Sequence, residues 1–460
     1  MTTPACWDGG DKRLALIPVG CNSSQNKKSK PTSLKRERSS KLMADQMQWA
    51  NALSTRHSLE AAVTDVVERA VSSLTAPADL GLVFISSAFT SEYSRLLPLL
   101  AEKLSVPVLI GCSGGGVIGT TVGGETQELE GEPAISLTLA HLPGVKVQVF
   151  HVVAEELPDL DSSPDAWVDL IGVPVSPTPQ FILLSSSFAS GINDLLQGLD
   201  FAYPGSVTVG GQASGGGMGD RVALFCNETD GEGCQSLYRE GTIGIALTGN
   251  IVLETIVAQG CRPIGKPLQV TKADRNIILE LDEKVPLVVL RDLIASLSEH
   301  ERTLAQHSLF VGVAMDGFKL ALQQGDFLIR GILGVDPTAG AIAIGDRVRP
   351  GQRLQFHLRD AQASAEDLEL LLQSYQHQQE SEPSAVAALM FACLGRGEGL
   401  YGKPNFDSEV FRRYLNDIPI GGFFCGGEIG PIGGRTFLHA YTSAFGICRQ
   451  NSAMNSKLDS

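Results

Sequence analysis

No run of 18 uninterrupted apolar residues occurs in the sequence, so no spanning helix and no membrane insertion are expected. Tryptophan is scarce, with 3 in 460 residues, and histidine stands at 8. No histidine falls in a Cys/His signature, which leaves a thiol nucleophile short of a base. Nine cysteines are present without Cys-x-x-Cys spacing, and no secretory leader is recognised. Reduced thiols in a cytoplasmic setting are therefore expected, not a disulfide frame. Positive charge is in deficit: the net charge of −15 argues against nucleic acid and anionic membrane as partners.

Glycine, by contrast, is abundant, with 50 residues concentrated in three turns. The apolar run Val108–Ile110 leads into Gly111-Cys112-Ser113-Gly114-Gly115-Gly116. Val207–Val209 leads into Gly210-Gly211-Gln212-Ala213-Ser214-Gly215-Gly216-Gly217. Pro419-Ile420 leads into Gly421-Gly422-Phe423-Phe424-Cys425-Gly426-Gly427-Glu428. Glycine is favoured where backbone must approach closely. Each turn closes a β-α-β unit: strand Leu80–Ser86 with helix Ser91–Leu104, strand Phe181–Ser185 with helix Asn193–Phe201, and strand Ala387–Cys393 with helix Asp407–Leu415. Phe84 to Gly111, Phe181 to Gly210 and Phe391 to Gly421 are similar spans, which argues for internal duplication. Continuous apolar strands around helices point to sheets covered on both faces. The fold expected is α/β (mixed α+β), with mixed sheets covered by helices.

Residues 1–42 hold nine basic and three acidic side chains, about +6, and read as a disordered basic tail. The rest then carries −15 − 6 = −21. A transit peptide, a regulatory tail and a mis-called start before Met43 or Met47 are the readings open for it. Residues 45–75 carry an apolar stripe at helical spacing. Ala134–Leu139 and Lys146–His151 read as a hairpin, and Val222–Asn227, Gly241–Thr248 and Ile251–Ala258 as a meander. Strands are expected at Asn276–Leu281, Phe327–Gly334, Ala341–Ile344 and Arg353–Arg359, and helices at Pro286–Glu299 and Ser364–Gln378, with a domain boundary near 265–285.

The glycine turns offer backbone N–H groups, but no Gly-Lys-Ser/Thr follows and the dinucleotide fingerprint with its acidic residue is not complete. A small-ligand pocket and plain backbone crowding are the two readings left. Cys112, Cys393 and Cys425 lie at strand ends, with Cys261 in a separate turn. They are small core residues or candidate nucleophiles, with His439 on the last strand as the candidate base for Cys425 or Cys112. Their spacing supports no metal site, and no cofactor is expected. Arg262, Arg396, Glu428 and Arg435 stand in glycine-rich, apolar surroundings, where an unpaired charge is costly. Each should pair internally or face a ligand, with arginine gripping a carboxylate and Glu428 an amine.

The motifs GCSGGGVIG, GCRPIG with KPLQVTKA, FLIRGILGVDP, FHLRDA, FACLGRG, IGGFFCGGEIGP and HAYTSAF together resemble the FIST family, the F-box and intracellular signal transduction proteins. The resemblance covers about residues 80–446. It implies a FIST N-terminal domain at 79–281 and a FIST C domain at 282–448. A helical segment at 43–78 precedes them, and a disordered tail at 449–460 follows. It further implies a sensory or signal-transduction role: bacterial members are thought to sense small ligands such as amino acids, and eukaryotic ones carry F-boxes and recognise proteins. No F-box-like helical segment is read before residue 45, which leaves the signalling partner unspecified. The expected site is a cleft shared by Gly111, Cys112, Ser113, Gly114, Ser214, Gly215, Arg262, Arg396, Cys425, Glu428 and Arg435. A cysteine-dependent enzyme and a protein-recognition scaffold are the alternatives.

Overall fold

The computed structural model describes residues 46–187, 189–215, 221–228, 234–379, 384–416 and 418–451. The expected tails at 1–42 and 452–460, and Gly216 and Gly217 of the second turn, lie outside these residues. Arg449 and Gln450, read as the start of the tail, belong instead to the last strand.

All three β-α-β units are present. Leu80–Ser86 runs parallel to Val108–Gly114, Gln180–Ser186 to Thr208–Ala213, and Ala387–Cys393 to Ile420–Cys425. The helices Tyr93–Lys103, Ile192–Ala202 and Phe406–Tyr414 connect them. Every residue of Leu80–Ser86 and Ala387–Cys393 is buried, because one face meets a helix layer and the other the common core. This is why these strands read as unbroken apolar runs.

Each parallel pair sits at the centre of a six-stranded mixed sheet. In the first sheet the pair is flanked by Gln48–Ser54 and Ile135–His141 on one side and by the hairpin Leu224–Glu228/Cys234–Tyr238 on the other. The second has Val145–Val152 and Thr242–Gly249 on one side and Glu428–Ile432/Arg435–His439 on the other. The third has Ile251–Gln259 and Thr442–Gln450, then Gly116–Thr120/Thr126–Glu130. The chain therefore repeats one pattern three times, and each repeat sends its hairpin to another repeat's sheet. The first repeat's hairpin completes the third sheet, the second's completes the first, and the third's completes the second.

The observed strand pairing overturns three local expectations. Ile135–His141 pairs with Gln48–Ser54 and Leu80–Ser86, so it forms no hairpin with Val145–Val152. The expected meander is divided among the first, second and third sheets. The stripe at 45–75 is a strand, Gln48–Ser54, followed by the helix Leu59–Ser72 with Ser58 as its N-cap. Edge pairing with Ile135–His141 wins over the helical pattern of that first segment.

The inner faces of the three sheets share one core, in which Phe84 stacks on Phe423 at 5.0 Å and Phe391 meets the same ring at 5.8 Å. The outer faces are covered by Leu59–Ser72 with Tyr93–Lys103, by Pro164–Ile171 with Ile192–Ala202, and by Ala361–Gln378 with Phe406–Tyr414. The third repeat carries one addition. Between its first strand and its first helix lies a closed six-stranded barrel, Cys261–Asp274, Ile277–Leu281, Leu309–Ala314, Phe327–Val335, Ile342–Ile344 and Arg353–Arg359, with its own core around Val311, Ile342 and Phe356. The helices Pro286–Ser296 and Glu299–Ala305 belong to this insertion.

Candidate functional site

The glycine turns are the points at which the chain leaves one sheet for the next. Gly111 stands beside Val83, Gly210 beside Leu183 and Gly422 beside Met390 in the parallel register. A Cβ at any of the three would overlap the neighbouring strand's carbonyl oxygen. Gly422, not Gly421, is thus the third equivalent position, and the need for glycine here is steric.

The turns do meet. Ser113 Oγ donates to the Ser214 carbonyl at 3.1 Å, and the Ser214 amide donates back to the Ser113 carbonyl at 3.1 Å. The Gly115 amide donates to Ser214 Oγ at 2.8 Å, and Ser214 Oγ donates to the Phe424 carbonyl. The Gln212 amide reaches the Gly427 carbonyl at 2.7 Å, and the Gly426 amide returns to Gln212 at 2.9 Å. The amide donors of Gly115, Gln212, Ser214 and Gly426 are therefore not free for an anion. Gly111, Cys112, Ser113, Gly114, Ser214, Gly215, Cys425 and Glu428 are all buried in this knot. Gly111-Cys112-Ser113-Gly114-Gly115 also spells Gly-x-Ser-x-Gly, the letters of a serine nucleophile turn. Ser113 lies within a strand, however, and its hydroxyl is held between the Ser214 carbonyl and the Ala223 amide. That geometry gives no support to serine hydrolysis.

The charged candidates part company. Arg435 is exposed on the edge hairpin of the second sheet. Arg262 begins the barrel and is paired with Glu301 at 3.0 Å and Asp360 at 3.1 Å. Arg396 is enclosed just beyond Cys393 and grips Asp407 through Nε at 2.6 Å and Nη2 at 3.0 Å. Its Nη2 also donates to the Tyr401 hydroxyl at 2.6 Å. Both arms of the expected carboxylate clamp are thus taken by Asp407, at the start of helix Phe406–Tyr414. The exchanged hairpin adds Glu128, whose Oε1 accepts from the Ser408 amide at 2.7 Å. Glu428 accepts at Oε2 from the Thr442 amide at 3.0 Å and hydroxyl at 2.8 Å.

These groups cluster where the carboxyl ends of the third sheet meet the barrel, the end of an open sheet at which ligands bind in α/β folds. Gln259 closes its strand there, donating through Nε2 to the Phe327 carbonyl of the barrel at 2.9 Å, while its amide donates to Asp367 at 2.7 Å. Arg359 Nη1 donates to the Gly395 carbonyl at 3.0 Å. Six buried atoms of these side chains and of Ser443 make no hydrogen bond among the described residues: Arg396 Nη1, Glu428 Oε1, Gln259 Oε1, Arg359 Nε, Glu128 Oε2 and Ser443 Oγ.

Burial sets the protonation states. It pushes Glu428 up to about 8, against the Thr442 donors and Arg396, and Glu128 up to about 7, with the Asp407 charge adding to the rise. The same desolvation lifts Cys393 to about 12 and raises Cys112 and Cys425 well above the ordinary thiol. A nucleophilic cysteine needs the opposite shift. Burial lowers His439 to about 4, so the ring is neutral and its Nε2 donates to the Gly430 carbonyl at 2.9 Å. Among the described residues no three His, Cys, Asp or Glu side chains are grouped to hold a metal ion.

Asp407, Tyr401, Glu128, Thr442, Gln259 and Arg359 did not figure among the residues expected from sequence. Glu128 alone carries a local signal, an acid in the middle of the short strand Thr126–Glu130.

A three-repeat α/β scaffold with hairpins exchanged between sheets and a barrel set into its third repeat is the class this chain defines. The chain belongs to the FIST family: it matches the FIST N domain over residues 79–284 and the FIST C domain over residues 286–431. Strands from both segments share sheets, since Gly116–Thr120 pairs with Ile420–Cys425. Among its relatives are uncharacterized proteins of Mycobacterium tuberculosis and Mycobacterium bovis, 33% identical over 368 residues that make up 80% of this chain and 90% of theirs. An F-box/LRR-repeat protein of Arabidopsis thaliana is 29% identical over 123 residues, 24% of this chain and 23% of that protein.

Proposed function

We propose that this FIST protein serves in signal transduction as a sensor: it takes up a small polar ligand of amino-acid size where the third sheet meets the barrel, and reports it to a partner protein through the seating of the barrel. The observation that carries this reading is the group of unpartnered buried atoms there, Arg396 Nη1 and Glu428 Oε1 foremost. Leaving a buried polar group unsatisfied costs about 1–3 kcal/mol. A ligand bearing both donors and acceptors would supply partners that such atoms lack. Because Arg396 is already committed to Asp407, a ligand amine facing Glu428, whose charge draws the carboxyl into its ionised form, is the stronger half of the recognition, and Arg396 contributes a single donor. Gln259 and Arg359 bond across to Phe327 and Gly395, so occupancy of this site bears directly on the contact between barrel and sheet. Action in the cytoplasm fits the acidic net charge and the finding that no helix among the described residues is long and apolar enough to cross a membrane.

A thermal-unfolding screen over amino acids, amines and other small polar metabolites tests the proposal. A ligand at 100 times its Kd adds about 2.7 kcal/mol, and Glu428→Gln should weaken that gain. Stabilisation by no compound in the screen would sink it. The cysteine-enzyme alternative is disfavoured by the raised thiols. A protein-recognition role is supported by the F-box/LRR-repeat relative alone.

A further inference from the structure

The position of the barrel has a counterpart in the first repeat. There the strand Gln48–Ser54 passes to its helix through residues 55–58, whereas in the third repeat the strand Ile251–Gln259 passes to its helix through the whole barrel. The two helices begin alike. Ser58 Oγ accepts from the Ala61 amide at 3.2 Å, and Asp360 accepts from the Gln362 amide at 2.9 Å. Seven residues beyond each cap stands an aspartate, Asp65 in one and Asp367 in the other. Asp367 is bonded to the Gln259 amide beside the barrel. At the equivalent place in the first repeat no barrel stands, and a cleft of about 370 Å³ opens between the strand end, the helix and the turn of the exchanged hairpin.

Ser54, Arg56, Asp65, Arg69, Thr121 and Gln127 are among the residues lining it. Arg69 is fixed: its Nη1 donates to the Leu53 carbonyl at 2.7 Å and its Nη2 to the Thr120 carbonyl at 2.8 Å, which ties the first sheet to the hairpin that serves the third. Asp65 lies 3.7 Å from the same guanidinium. Arg56 is exposed and pairs with no carboxylate among the described residues. Two guanidinium groups against one carboxylate leave the cleft positive on a protein of net charge −15. A planar guanidinium free to make two parallel hydrogen bonds suits an oxyanion. We infer that this cleft is a second ligand site, for a small metabolite bearing a carboxylate or a phosphate, with Arg56 as its grip and Arg69 as its rigid floor. It is separate from the site at the barrel and does not depend on it.

The test is thermal unfolding of the full chain with inorganic phosphate as one probe and citrate as the other, at matched ionic strength. A saturable rise in midpoint of a few degrees with at least one probe is expected, and which probe acts tells phosphate from carboxylate recognition. Arg56→Glu should abolish the rise. So should Val122→Trp, which fills the mouth from an exposed position and should leave the unliganded midpoint within about a degree. Glu428→Gln should retain it, which separates this site from the one at the barrel. No saturable rise with either probe, or an undiminished rise in Arg56→Glu, overturns the inference.

Discussion

Arg396 and Asp407 form a two-point ion pair that is closed off from solvent, at 1% and 0% side-chain exposure. The pair lies between the strand Ala387–Cys393 and the helix Phe406–Tyr414 and is joined by Tyr401. Removing one partner of a buried pair leaves a charge with no compensation, which typically costs about 3–5 kcal/mol. Asp407→Ala is therefore expected to lower the stability of the whole chain by about that amount in urea titration. The double variant Arg396→Met/Asp407→Leu should lose clearly less than Arg396→Met and Asp407→Leu lose when added together. Additive losses would mean that the two residues act independently, contrary to their geometry.

Glu428 should give the protein a falling stability limb toward alkaline pH. Its carboxyl sits at about 8 in the fold against an ordinary 4.5, so the folded chain holds a proton there that the unfolded chain has released. Stability from this group is full below about pH 4.5 and is lost as pH rises through 8. Glu428→Gln is neutral throughout, so the difference in unfolding free energy between variant and parent should grow across that window. Each pH unit within it is worth about 1.4 kcal/mol, and the variant therefore gains on the order of a few kcal/mol by pH 8. Glu128 pushes in the same direction, and the neutral His357 and His439 in the opposite one at acid pH, which is why the comparison must be variant against parent. A difference that stays flat from pH 5 to 8 would show that Glu428 is ionised in the fold.

What could be read in the sequence follows the range of the forces involved. The three parallel pairs were legible because burial on both faces writes itself into each strand as a continuous apolar run. Strand partnership was not, because the hairpin after Gly116 is as compatible with its own sheet as with the third, and the choice is made by residues hundreds of positions away. The strand Gln48–Ser54, QWANALS, has the composition of a helix and is extended only because Ile135–His141 lies beside it. The site was half legible for the same reason. Arg396 and Glu428 stand out as charges among glycines, whereas Glu128 acquires its role from Ser408, 280 positions further on.

The steric account of the three strand glycines makes the last prediction. If Gly111, Gly210 and Gly422 exist to let one strand pass over its neighbour's carbonyl, any side chain there must displace backbone. Gly111→Ala, Gly210→Ala and Gly422→Ala should each cost about 3 kcal/mol or more, since a strand cannot shift without breaking its parallel ladder. Gly123→Ala is the control. It lies in the exposed hairpin turn, where an added Cβ meets only Thr121 Oγ1 at 3.7 Å, and should change stability by no more than about 0.5 kcal/mol. The measurement is the urea midpoint of all four variants under identical conditions. If one of the three core substitutions proves as silent as Gly123→Ala, that strand position is not set by backbone crowding, and its glycine must be explained by something that binds there.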